Sequence, residues 1–180
     1  FLEELRAGLF ANDPNGWDSL KIEAWVYQPG LPANMLRIES ERFSKVEKAI
    51  ADWKGGVAPT TEATNGWSAF EWVHFLRSLP DSLPHDDLRY LDQTFGFSRT
   101  GNNEILFSWM EYCIRDRYTA IYPALESFLN EVGRRKYVKP LFQALLQTPE
   151  GKIEAKKIYA AARPNYHFIT QATVDELMAE

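Results

Sequence analysis

Apolar residues recur along most of this chain at spacings of three and four, the period of one face of a helix. Leu2, Leu5, Leu9 and Phe10 begin the first stripe, and Asn12-Asp13-Pro14-Asn15-Gly16 stops it. The pattern predicts a second helix over 17–27, ended by Gln28-Pro29-Gly30-Leu31-Pro32, where two prolines and a glycine impose a turned connection. Phe43, Val46, Ile50 and Trp53 predict a helix over 40–53, with Gly55-Gly56 behind it and a polar loop over 57–66. Phe70, Val73, Leu76 and Leu79 predict one over 67–79, and Pro84 opens another through Leu88, Leu91 and Phe95. Asn102 or Asn103 caps a long apolar helix through Ile105, Trp109, Cys113 and Ile114. Further helices are predicted over 118–132, with Pro123 in an early turn where proline is tolerated, over 140–147 and over 151–162. The tail after Pro164 is less regular. No stretch sustains period-two alternation with β-branched residues, so no sheet is expected. The expectation is an all-α fold of about nine helices, with one-faced helices buried as successive antiparallel pairs in two layers. No strict repeat marks a regular solenoid.

Length and composition narrow this picture without changing it. The 180 residues fit one domain, and 45% hydrophobic with 25% charged residues is an ordinary globular balance. The formal net charge of -5 argues against a nucleic-acid partner. No apolar run approaches the roughly 20 residues of a membrane span, and no secretory pattern opens the chain. The single Cys113 cannot form an internal disulfide, which suits a reducing compartment and a cytoplasmic location. The chain begins at Phe1 rather than Met, so it reads as part of something longer, and export stays open.

Candidate chemistry concentrates in Gly133-Arg134-Arg135-Lys136-Tyr137-Val138-Lys139-Pro140, four cations within six positions of an acidic chain. Gly133 suits the left-handed residue after a helix, and Pro140 suits the first turn of the next. Arg134, Arg135 and Lys136 are then expected on an inter-helix connection. There they would hold a carboxylate or phosphate, or form an ordinary solvated basic turn. Metal chemistry has little support. His74, His85 and His167 share no helical turn, and the i, i+3 pair Glu71 and His74 lacks the second copy that a di-metal site needs. Cys113, in an apolar helix, reads as a buried filler rather than a nucleophile. Asp86 and Asp87 open a helix, as the macrodipole favours. Trp67, Phe70 and Trp72 read as core. No glycine-rich phosphate loop or Gly-x-Ser-x-Gly elbow occurs. The residues therefore supply no catalytic apparatus, only a cationic loop and an aromatic Pro-Gly-Leu-Pro turn.

Both features carry a resemblance. Ala24-Trp25-Val26-Tyr27-Gln28-Pro29-Gly30-Leu31-Pro32 resembles the segment that opens the C-terminal domain of leukotriene A4 hydrolase and aminopeptidase B, zinc aminopeptidases of the gluzincin class. The likeness continues through Asn102-Asn103-Glu104-Ile105, Trp109, Cys113-Ile114 and Pro123. It is strongest at Gly133-Arg134-x-Lys136-Tyr137-x-x-Pro140-Leu141-Phe142. It runs from near Leu20 to the last residues, and the shared order and spacing make it specific.

The resemblance implies a helical C-terminal domain, a two-layer right-handed coil like armadillo or HEAT repeats, spanning 1–180 of this chain. It implies a zinc-bearing catalytic domain elsewhere in the same polypeptide and no metal or cofactor in this part. The domain would close one side of the substrate cleft. Arg134 and Lys136 would bind the free carboxylate of short peptide substrates, and Trp25, Tyr27, Pro29, Gly30, Leu31 and Pro32 would pack at the domain junction. Arg135 stands where the hydrolase has an apolar residue, and Lys139 replaces an Arg, so both become auxiliary electrostatic groups. The competing expectations are a free-standing helical protein–protein interaction module and a purely structural cap.

Overall fold

The computed structural model describes residues 1–36 and 40–179. These residues fall into two compact units, 1–40 and 41–180. They form eleven α-helices and three short 3-10 turns, with no strand among the described residues. The all-α expectation is borne out, and the count exceeds about nine because one predicted helix is two and the tail is ordered.

The N-terminal unit holds α1 (Leu2–Ala7), α2 (Pro14–Leu20) and α3 (Ile22–Tyr27). Asp13 caps α2 by accepting the Gly16 N–H at 2.8 Å, and Pro14 occupies a first-turn position that needs no donor. Trp17 is buried, with Phe10 edge-on at 5.7 Å and the Arg6 guanidinium 4.4 Å from its ring centroid. The predicted 17–27 helix breaks at Lys21, whose left-handed backbone (φ 51) ends the i→i−4 ladder. The Asn34 side-chain amide then donates to the Leu20 carbonyl at 2.8 Å. At the following turn Trp25, Tyr27 and Leu31 are 47%, 74% and 70% exposed. Pro29 and Gly30 are exposed and Pro32 is half-buried, with Gly30 at φ 81.

The main unit runs through α4 (Glu41–Lys54), α5 (Ala69–Arg77), α6 (His85–Phe95), α7 (Asn103–Arg115), α8 (Tyr122–Glu131), α9 (Arg135–Leu145), α10 (Pro149–Ala162) and α11 (Phe168–Ala179). Helices α5, α7, α9 and α11 pack one on the next in a row that α4 extends, while α8 and α10 pack together beside it. Helix α10 also packs on α9, which joins the two groups. An aromatic column runs from Trp67 on Trp72 (4.8 Å), through Phe97 (5.2 Å from Trp72), to Trp109 (5.3 Å from Phe97). Phe70, expected in the core, is 80% exposed. The buried face of α5 carries Glu71, Phe75 and Leu76, and Phe70 lies one residue, about 100°, round from Glu71. Cys113 is fully buried, and burial pushes its thiol pKa up.

Three boundaries differ from the sequence reading for physical reasons. Helix α9 starts at Arg135, so Pro140 lies inside it rather than in its first turn. The proline then leaves the Lys136 carbonyl without its helical donor. Helix α10 starts at Pro149, capped by the Thr148 hydroxyl, which accepts the Gly151 N–H at 3.0 Å. Helix α11 was hidden because its buried face carries Thr170 and Thr173 beside Val174, which interrupts the apolar stripe.

Gly151 sits where a Cβ would overlap the Leu145 carbonyl oxygen and lie 2.8 Å from Thr148 Oγ1. Gly151→Ala is therefore expected to destabilise the protein by about 1–3 kcal/mol, the range for forced overpacking, despite alanine's better helix propensity. Denaturant unfolding measures it, and a neutral or stabilising result would show that the α9–α10 turn yields freely.

Candidate functional site

The segment between α8 and α9 is short and held from several sides. Helix α8 ends at Glu131, and Val132 follows in an extended conformation (φ −112, ψ 97). Gly133 is not among the glycines of positive φ, so the left-handed role expected for it is not used. Its lack of a side chain serves packing instead: a Cβ would stand 3.3 Å from the Tyr166 ring and 3.7 Å from the Asn165 carbonyl oxygen. The Thr170 hydroxyl donates to the Gly133 carbonyl at 3.2 Å, and the Tyr166 hydroxyl donates to the Leu129 carbonyl at 2.7 Å. The residues from 165 onward thus pin this loop in place.

Arg134 is the N-cap residue of α9, while Arg135 and Lys136 are its first two helical residues. Only Arg134 therefore lies on the connection where all three were expected. No acidic residue occupies the first turn, and Arg134 makes no side-chain cap. Cations at a helix N-terminus oppose the macrodipole, so this end favours an anion from elsewhere.

The three cations differ in what they touch. Arg134 is exposed, and its guanidinium lies 5.7 Å from the Tyr137 ring centroid. Arg135 turns away, its Nε–H donating to Thr173 Oγ1 at 2.8 Å. Lys136 Nζ is 2.5 Å from Glu104 Oε1 and 5.3 Å from the Tyr137 ring centroid. Lys139 is half-buried.

Glu104 and Tyr137 complete the group, and the sequence reading assigned a site role to neither. The Tyr137 hydroxyl donates to the same Glu104 oxygen at 2.7 Å. The Tyr137 ring is buried, with Phe107 at 5.4 Å and Phe128 at 5.8 Å. Lys136 and the tyrosine hydroxyl hold the Glu104 carboxyl below the usual carboxylate range, and Glu104 in turn raises the Tyr137 pKa. Glu104 is set by the start of α7, where Asn102 Oδ1 accepts the N–H groups of Glu104 (3.0 Å) and Ile105 (3.3 Å). Two sequence motifs about thirty residues apart, Asn102–Ile105 and Gly133–Tyr137, therefore meet in space. Glu104 escaped notice because an acidic residue in a first helical turn is explained by the macrodipole alone.

The other candidate chemistry is absorbed by structure. Glu71 is committed to Arg42 (2.7 Å), and His74 Nε2 lies 2.6 Å from Glu47 Oε1. These residues do not fit a metal, and among the described residues no group of three or more His, Cys, Asp or Glu side chains could hold one. No helix of the described residues is long and apolar enough to cross a membrane.

The family described as leukotriene A4 hydrolase, C-terminal, matches residues 67–178, well over half of the sequence and the part that contains both motifs of the site. This chain belongs to that family. It is similar to leucine aminopeptidase 2 of Pyricularia oryzae, with 30% identity over 128 residues that cover 68% of this chain and 21% of that protein. Leucine aminopeptidase 2 of Ajellomyces capsulatus is 25% identical over 134 residues, covering 71% of this chain and 21% of that protein. The chain thus spans about a fifth of the length of these relatives. Among solved structures, yeast LTA4 hydrolase in complex with bestatin shares the fold, with a TM-score of 0.73 at 20% identity over 99% of this chain and 32% of that one.

Proposed function

We propose that residues 1–180 are the C-terminal helical domain of a larger zinc aminopeptidase. In this reading the domain closes one side of the substrate cleft and binds the free carboxylate of a short peptide through Arg134 and Lys136. The observation that carries it is Arg134, an exposed guanidinium at the start of α9 with no acidic group in the first turn, on a loop pinned by Tyr166 and Thr170. A held loop keeps the guanidinium from being reoriented at each binding event. Arginine takes a carboxylate through two parallel charge-assisted bonds, and Lys136 adds a point charge. Arg135 and Lys139 supply long-range attraction that salt screens.

The zinc and the chemistry it supplies belong to the catalytic domain of the same polypeptide. The exposed Trp25, Tyr27 and Leu31, with Pro29, Gly30 and Pro32, form the surface that packs at that junction. The row of helices α5, α7, α9 and α11, with α8 and α10 packed beside it, suits a right-handed two-layer armadillo- or HEAT-like coil, and a cytoplasmic location fits the net acidic charge and single cysteine.

In the full-length enzyme, Arg134→Ala is expected to lower kcat/KM for tripeptides by at least about tenfold, since a hydrogen bond to a charged group contributes about 1.5–3 kcal/mol. Single amino-acid chromogenic amides carry no carboxylate at that distance and should be affected much less. The decisive quantity is the tripeptide-to-amide ratio in the variant against wild type. An unchanged ratio would reduce the loop to a solvated basic turn.

A further inference from the structure

We infer that Glu104 sets the charge selectivity of this site, tuning it to a peptide that ends in a single carboxylate and against one that ends in two. The inference rests on the carboxylate-binding reading of Arg134 and Lys136. Glu104 Oε1 sits 2.5 Å from Lys136 Nζ and 2.7 Å from the Tyr137 hydroxyl, so one oxygen fixes both partners. The Tyr137 ring that it orients carries the Arg134 guanidinium at 5.7 Å and the Lys136 ammonium at 5.3 Å. Arg135 is drawn off to Thr173, and Tyr137 stays a neutral phenol. The group around the Tyr137 ring therefore presents two cations against one carboxylate, one net positive charge within contact range, which matches a monoanion, while Arg135 and Lys139 act from further off. A second carboxylate, as on a C-terminal aspartate, would meet Glu104 instead of an unpaired lysine. Like charges repel, and with the Glu104 and Lys136 side chains 40% and 49% exposed the repulsion is moderated by water.

Glu104 is thus a positioning and specificity residue for peptide binding. Glu104→Gln keeps the size and an acceptor for Tyr137 but removes the charge, leaving Lys136 free. In the full-length enzyme this variant is expected to raise the kcat/KM of Ala-Ala-Asp relative to Ala-Ala-Ala by about fivefold or more over wild type. Lys136→Met should move the same ratio the other way, because Glu104 then stands unpaired beside Arg134. This second arm keeps the test open should Glu104→Gln fold poorly. A merely structural role for Glu104 would lower both substrates together and leave the ratio alone. A ratio within about twofold of wild type in both variants would overturn the inference. If Arg134→Ala still lowers the tripeptide-to-amide ratio in that case, only the role of Glu104 falls; if it does not, the carboxylate site falls with it.

Discussion

Trp109→Ala is expected to destabilise the main unit by about 3–5 kcal/mol, the largest single effect in this fold. Trp109 is fully buried in α7, next to Phe97, and its indole N–H donates to Ser98 Oγ at 3.1 Å. Alanine removes the most deeply buried indole of the aromatic column and leaves a cavity. Its walls come from α7 and the Phe97–Arg99 turn, which are tied to neighbouring helices and cannot close on it. The Ser98 hydroxyl also loses its donor. Thermal unfolding should fall by roughly 10 °C or more for a unit of this size. A loss below about 1.5 kcal/mol in denaturant unfolding would mean that the core repacks around the hole.

Glu71→Ala is the second large effect, expected near 2–3 kcal/mol. Glu71 is a buried carboxylate that holds three segments together. Its oxygens accept from Arg42 Nε (3.1 Å) and Nη2 (2.7 Å) on α4, and from the Ser68 N–H and hydroxyl, both at 2.8 Å, at the start of α5. Arg42 also donates to the Gly66 carbonyl at 2.9 Å. Removal leaves the Ser68 N–H unsatisfied and leaves Arg42 with only its Gly66 partner, so the tie between α4 and α5 is lost.

The pH dependence has a definite sign. The Arg42 guanidinium, with the Ser68 donors, holds the Glu71 carboxyl down to about 2. A depressed carboxyl contributes stability in full above its ordinary value of 4.5 and loses it as pH falls towards 2. The stability difference between wild type and Glu71→Gln should therefore shrink between those limits. A difference that stays constant down to pH 2 would show that shape rather than charge carries the effect.

What was legible in the sequence follows from the range of the interactions involved. The apolar stripes of α4, α5, α6 and α7 announced themselves because each buries one face against a neighbour, and Asn102 announced a cap because capping is local. Helix α11 did not, because its inner face uses threonines whose partners, Gly133 and Arg135, lie far away in sequence. The start of α9 was misplaced because Pro140 looked like a beginning, whereas packing of Tyr137, Val138, Leu141 and Phe142 makes a helix through it favourable. Arg134 and Lys136 stood out as charge density in an acidic chain. Their unequal commitments, Arg134 lying over the Tyr137 ring and Lys136 paired with Glu104, belong to the tertiary structure alone.

The pinning of the α8–α9 loop by the residues around Tyr166 and Thr170 extends the reach of the site to the end of the chain. Whatever free energy α11 contributes to holding Gly133 and Arg135, an anion that requires this loop arrangement must return to α11 in equal measure, since coupling between two equilibria is reciprocal. On the carboxylate-binding reading proposed above, anion affinity and the docking of α11 would be in this sense one equilibrium. On that same proposal, amino-acid changes in α11 would become a route by which anion affinity is adjusted without altering a residue that touches the anion.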